Sequence, residues 1–198
     1  MKLRYSAASP FARKVVIVGH VLGLAERIEL VGAEEDPGDV LRSRNPLNKI
    51  PMLLTDDGQA IFDSRVIVEF LDHLAGGGRI IPAESTARFD TLTLQALADG
   101  ISEAAVLIVY EGRYRNAEHY SERWISHQQV KIDTALDHLE SRAPGDGVDV
   151  GTIALACALG FLDLRAGGKW RATHPKLVAW LDAFSTRVPA FGKTVAAS

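Results

Sequence analysis

The sequence predicts an α/β half followed by an all-α half, and three observations carry that prediction. Apolar runs of strand length occur at 2–5, 27–31, 51–55 and 59–62, interleaved with two helical patterns. Asp57-Gly58 sits between the last two runs, a tight-turn signal because glycine takes the positive φ such a turn needs. Strand signals then stop, and long helical patterns fill the rest of the chain.

Taken in order, KLRY at 2–5 is a first strand, and Pro10 opens a helix over about 10–24. Val15, Val16, Val18, Val21, Leu22 and Leu24 give that helix its apolar face, and RIELV at 27–31 alternates as a second strand. Strand, helix and strand within some thirty residues form a βαβ unit, with parallel strands and a right-handed crossover. A polar loop, GAEEDPGD, and one turn of helix lead to a hairpin of PMLLT and QAIF. A helix over about 64–75, with Val66, Ile67, Phe70, Leu71 and Leu74 at helical spacing, completes a βαβ-ββα half. AGGGRIIPAES marks the boundary, placing one domain at 1–76, a linker at 77–86 and a helical bundle domain at 87–198. Four helices are expected there, over about 84–116, 119–141, 150–166 and 175–188, the third buried on all sides.

Composition excludes several classes of function. Hydrophobic residues make up 47% and charged residues 24%, as in an ordinary globular protein, and a net charge of −3 offers nucleic acid no basic stripe. The one cysteine, Cys157, rules out an internal disulfide and reads as an inert core thiol. Six histidines show no ligand spacing, so no metal is expected. No signal-peptide pattern and no apolar run of eighteen residues stand out, and a cytoplasmic protein without a membrane partner is the expectation.

Three stretches can carry chemistry. In SAASPFARKV, Ser9 precedes Pro10 and is placed to cap the helix. The same position joins a hydroxyl donor to the positive end of a helix dipole, which stabilises an anion and lowers a thiol's pKa. No G-x-S-x-G elbow surrounds Ser9, so it is not read as a hydrolytic nucleophile. In NPLNKIP, Pro51 fits the first residue of a strand, and a cis Ile50–Pro51 bond would turn the backbone of Ile50 toward a groove. In FDS, Asp63 or Ser64 caps the next helix; alternatively the pair grips the ammonium and carboxylate of an α-amino acid.

Together these motifs resemble a cytosolic glutathione S-transferase, over nearly the whole chain, and above all the bacterial serine-type members with an S-P-F-x-R-K-V start. The resemblance implies a thioredoxin-like domain that holds glutathione and a helical domain that shapes the pocket for a second substrate. It implies that Ser9 hydrogen-bonds the glutathione sulfur and favours its thiolate. Ile50, before a cis Pro51, would pair with the cysteinyl backbone; Asp63 and Ser64 would bind the γ-glutamyl end, and Lys49 would lie near the glycyl carboxylate. Phe11, Tyr110, Arg113 and Tyr114 are candidates for the second pocket, the last three equally suited to a surface or dimer face. Asp99 is half-buried by pattern and either structural or directed at the site.

The function so implied is conjugation of glutathione to small, largely apolar electrophiles, a detoxifying reaction, by a homodimer with no cofactor beyond its co-substrate. A non-catalytic binding or interaction protein of the same fold is the alternative. Two departures bear on it: Asn48 stands where the family often has glycine, and Asp63 where it commonly has glutamate or glutamine. A third concerns folding, since Asp149-Val-Gly-Thr152 replaces the family's usual Ser/Thr-x-x-Asp helix opening, with no anionic partner returned by Thr152.

Overall fold

A computed structural model describes residues 1–33 and 42–196. The sheet half runs β1 (Lys2–Tyr5), α1 (Pro10–Val21), β2 (Glu29–Gly32), β3 (Met52–Leu54), β4 (Ala60–Ile61) and α2 (Ser64–Leu74). The helical half runs α3 (Ser85–Tyr114), α4 (Glu122–Ser141), α5 (Val150–Ala166), α6 (Pro175–Arg187) and the short α7 (Pro189–Lys193). Most of the expected GAEEDPGD loop lies outside the described residues, and the turn of helix after it is a 3₁₀ turn at Arg42–Arg44.

The sheet order is β2-β1-β3-β4, with β1 parallel to β2 and antiparallel to β3, and β3 antiparallel to β4. Its register fixes what meets at each end. Arg4 pairs with Met52 and Leu53 with Ile61, so the exit of β1, the entry to β3 and the exit of β4 share one end of the sheet. Leu3 and Leu53 of the sheet pack with Val15 and Val18 of α1 and with Ile67 and Leu71 of α2, all fully buried.

Asp72 of α2 organises the expected linker. Its Oδ2 accepts from the Gly78 amide at 2.9 Å, and its Oδ1 from the amides of Arg79 and Ile80 at 3.0 and 2.9 Å. Gly76, Gly77 and Gly78 all have positive φ (106, 76 and 73°), which the turn onto the carboxylate requires. Ile80 and Ile81 are buried, so 77–86 is a docked segment rather than a free tether.

In the helical half α5 is the central element, buried along nearly its whole first three turns. It opens with a complete capping box: the Asp149 side chain accepts from the Thr152 amide at 2.9 Å, and the Thr152 hydroxyl accepts from the Asp149 amide at 3.0 Å. A neutral hydroxyl returns the bond that an acid returns in the usual motif, and both orphan donors are satisfied. Contrary to the sequence expectation, one helix, α3, is long and apolar enough to cross a membrane, with a mean hydropathy of 1.5 over its best window. It packs against α4 and α5 and buries Gln95, Asp99 and Ser102, which is how a core helix of a folded domain reads.

Candidate functional site

The three chemistry-bearing stretches come together at the shared sheet end. Ser9 is the N-cap of α1, in extended backbone with φ −85° and ψ 121°, and its Oγ accepts from the Ala12 amide at 3.3 Å. Capping uses a lone pair of the hydroxyl and leaves its proton free to donate. Residues N-terminal to β3 turn through a cis Ile50–Pro51 bond. Ile50 precedes the β1–β3 register, and neither its amide nor its carbonyl has a hydrogen-bond partner among the described residues. Asn48 has φ 52°, a conformation asparagine adopts more readily than most side chains, and Lys49 is exposed with its carbonyl held by Asn45 Nδ2 at 2.9 Å.

Beyond β4, the Phe62–Asp63 peptide is also cis, and Asp63 caps α2 by accepting from the Arg65 amide at 2.9 Å. Ser64 is the first residue of α2 and is buried, while Asp63 is exposed. A capping serine, an unpaired peptide edge and a second helix N-terminus therefore border one groove. Hydrogen-bond donors for anions stand at both ends, and a strand-like edge runs between them.

Beneath the groove lies a charge cluster that the motifs did not reveal. Lys14 of α1, 1% exposed as a side chain, places Nζ 2.7 and 2.9 Å from the two carboxylate oxygens of Asp99 in α3. Arg65, next to Ser64, reaches Asp99 Oδ2 at 3.0 Å with Nε and Glu103 at 3.2 Å with an Nη. The hydrogen bond to Asp99 raises the pKa of Arg65. One buried carboxylate thus ties α1, α2 and α3 together. The signal for Lys14 was available, a cation on the apolar side of an amphipathic helix, but its partner is 85 residues away.

A small cavity of about 30 Å³ opens beside Ser9, walled by Ala7, Ala8, Arg13, Phe161, Leu164 and Val195, with Cys157 at its base. Arg13 is buried one turn behind Ser9. Its guanidinium donates to the Phe191 carbonyl at 2.6 Å and to Thr194 Oγ1 at 3.2 Å, and it lies over the Phe191 ring. Burial lowers its pKa. The same burial pushes the Cys157 thiol up to about 12, which leaves it unreactive, as expected of a core cysteine.

Phe11, Tyr110, Arg113 and Tyr114 do not line this cavity. At ~100° per residue, Tyr110, Arg113 and Tyr114 fall within about 60° of Asp99 on α3, on the face that Asp99 turns toward Arg65 and Lys14. Tyr110 and Tyr114 meet edge to face at 5.2 Å, and Tyr114 is 72% exposed. Phe11 is half-buried on α1.

A four-stranded mixed sheet in the thioredoxin arrangement, with a groove at one end and a helical domain laid against α1, defines the class of two-domain proteins to which this one belongs. The chain matches the glutathione S-transferase N-terminal domain over residues 8–74 and the glutathione S-transferase C-terminal domain over 122–183. It is 34% identical to the uncharacterized GST-like protein YibF of Escherichia coli K12, over 94% of this chain and 95% of that one. Among solved structures, it is 40% identical to a glutathione transferase family member from Pseudomonas fluorescens Pf-5 with bound glutathione, with a TM-score of 0.92 and coverage of 100% and 99%. A glutathione S-transferase from Methylobacillus flagellatus KT with glutathione bound is 34% identical, with a TM-score of 0.87 and 99% of each chain covered. The chain belongs to the glutathione S-transferase family.

Proposed function

We propose that this protein is a glutathione transferase of the serine type, which binds glutathione in the groove at the sheet end and transfers it to small, largely apolar electrophiles. The observation that carries the proposal is Ser9: its oxygen is engaged as a cap while its proton is left to donate at the positive end of α1. A glutathione sulfur placed there loses its proton to solvent, and the thiolate accepts the Ser9 hydrogen bond. The sulfur then attacks the electrophilic carbon; a C–S bond forms as the bond to the leaving group breaks. The free backbone of Ile50 suits the cysteinyl peptide group. Asp63, Ser64 and the α2 N-terminus suit the γ-glutamyl ammonium and carboxylate, and exposed Lys49 the glycyl carboxylate. In the two relatives solved with glutathione, at 40% and 34% identity, the ligand itself supports this reading. Electrophiles would enter past Phe11 and along the Tyr110–Arg113–Tyr114 face of α3. A cytoplasmic homodimer without metal completes the proposal.

Calorimetry with glutathione and turnover of an activated aryl halide test it. Ser9→Ala should lose about ten- to a hundredfold in kcat/KM, the worth of one hydrogen bond to a charged group. It should also lose about 1 kcal/mol of stability as a cap. Ser9→Asp separates the two roles, because a carboxylate caps as well but has no proton to give. Its stability should hold while activity falls. No glutathione binding by the wild type would sink the transferase reading, and unchanged turnover in both variants would remove Ser9 from the mechanism.

A further inference from the structure

Arg13 is 8% exposed, yet it makes no ion pair among the described residues. Dipoles hold it instead. Its guanidinium donates to the Phe191 carbonyl at 2.6 Å and to the Thr194 hydroxyl at 3.2 Å, and its central carbon stands 4.1 Å from the centroid of the Phe191 ring. α5 leaves room for it at Gly160, where an added Cβ would fall 2.5 Å from Arg13 Nη1. A buried charge is costly unless paired, and a guanidinium stays protonated at any working pH. The fold therefore keeps a full positive charge here and does not neutralise it.

The other ionisable groups packed around α1 are committed or neutral. Lys14, the next residue, turns to Asp99 of α3, which Arg65 of α2 also binds. On α5, Asp163 is held by Arg171 at 2.6 Å and by the Trp170 indole at 2.9 Å, and burial pushes the Cys157 thiol up to about 12, so it carries no charge. Lys193 of α7 is exposed and adds only positive charge. Arg13 and Ser9 stand one helical turn apart, the Arg13 amide donating to the Ser9 carbonyl at 2.9 Å, and both line the same small cavity. Helical side chains lean toward the N-terminus, which carries the guanidinium back toward Ser9. The helix dipole offers an anion there about half a positive charge, and Arg13 adds a whole one.

We propose that Arg13 is a positioning residue for the reaction at Ser9, its unneutralised charge favouring the thiolate of bound glutathione. The inference rests on the reading of Ser9 given above. When the thiol ionises, its proton passes to solvent, the sulfur accepts the Ser9 hydrogen bond, and the anion is left in the field of the guanidinium. Ser9 orients the sulfur, and Arg13 sets how readily the proton leaves. A mere tether between α1 and α7 would use the same hydrogen bonds but would have no use for the charge.

Titration of the ultraviolet absorbance of the thiolate in the glutathione complex separates charge from tether. Arg13→Gln should raise the pKa of the bound thiol by about one unit. Turnover of an activated aryl halide should then fall about tenfold in kcat/KM below that pKa and recover above it, since only the ionised fraction changes. Arg13→Lys keeps the charge and should stay near the wild type. Thr194→Asp leaves the guanidinium in place and gives it a carboxylate, so it should raise the thiol pKa even where Arg13→Gln folds poorly. Thr194→Val removes a tether bond and leaves the charge, and the pKa should not move. An unmoved thiol pKa in Thr194→Asp would overturn the proposal while leaving glutathione transfer at Ser9 intact. So would a shift in Thr194→Val as large as that in Thr194→Asp, or a loss in Arg13→Lys as large as that in Arg13→Gln, either of which would assign the effect to the tether. Failure of the wild type to bind glutathione would remove the reading of Ser9 and this inference with it.

Discussion

Lys14 is a large side chain with essentially no exposure, and Asp99 is its counterpart at 2.7 Å. Removing both ions from water costs several kcal/mol each, and their attraction offsets that only because the geometry is close and Arg65 adds a third partner. The single variant Asp99→Asn leaves Lys14 buried without a counter-charge and should destabilise the protein by about 3–5 kcal/mol. Replacing the pair together, Lys14→Met with Asp99→Leu, should recover most of that loss, because a well-packed apolar pair is near neutral. Urea titrations of the single and double variants decide it: equal losses in both would mean that the charges do not act as a pair. The role of Arg65 is separate. Freed from Asp99 it no longer braces the start of α2, so the double variant should show a raised KM for glutathione even where stability is restored. At this scale the sequence was legible where local geometry rests on a short motif, as in the Ser9 cap and the placing of Pro51 ahead of β3, and illegible where it rests on partners distant in the chain. Nothing local marks Asp99 as the acid that Lys14 and Arg65 share.

Helix α5 is the element on which the two halves meet, since it packs on α3 and on α1. It lies tight against α3 at Gly151, where an added Cβ would fall 2.6 Å from the Thr91 carbonyl oxygen and 3.0 Å from Leu94 Cβ. A backbone atom cannot swing aside. Within a helix, alanine normally stabilises by about 1 kcal/mol over glycine, so propensity alone predicts a gain from Gly151→Ala. Overpacking of about 1–3 kcal/mol should win instead and lower the thermal midpoint. Gly192, where nothing lies within 4 Å of a built Cβ, is the control, and Gly192→Ala should not be destabilised by packing. Element boundaries were read from sequence to within a few residues because caps and periodicity are local: Asp149 for α5, Pro175 for α6, the Asp57-Gly58 turn between β3 and β4. The short α7 and the 3₁₀ turns at Ala117–His119 and Lys169–Ala172 escaped, being too brief to show a period. Docking of 77–86 escaped as well, because three glycines read as a flexible break until Asp72 is seen collecting the amides around them.

For the whole molecule, the fold class was legible because the order of elements restricts the topology, whereas the surfaces left over were not. One such surface joins the halves on the outside. Val66 of α2 is 52% exposed and Phe89 of α3 is 64% exposed. Between them Arg88 bridges to Glu69 at 2.8 Å, holding the two helices side by side. Exposed aromatic and β-branched side chains beside a fixed ion pair are what a self-complementary two-fold interface uses: an apolar centre with a polar rim. The homodimer proposed above is therefore expected to form across α2 and α3. Sedimentation velocity at micromolar concentration should show a dimer for the wild type. Val66→Lys with Phe89→Lys should shift it to monomer by placing like charges across the two-fold axis, without a core change that would unfold the chain. Reversing Arg88 and Glu69 together keeps their bridge and should leave the dimer intact. A wild-type monomer would refute the dimer itself, and a double-lysine variant that stays dimeric would move the interface to another face.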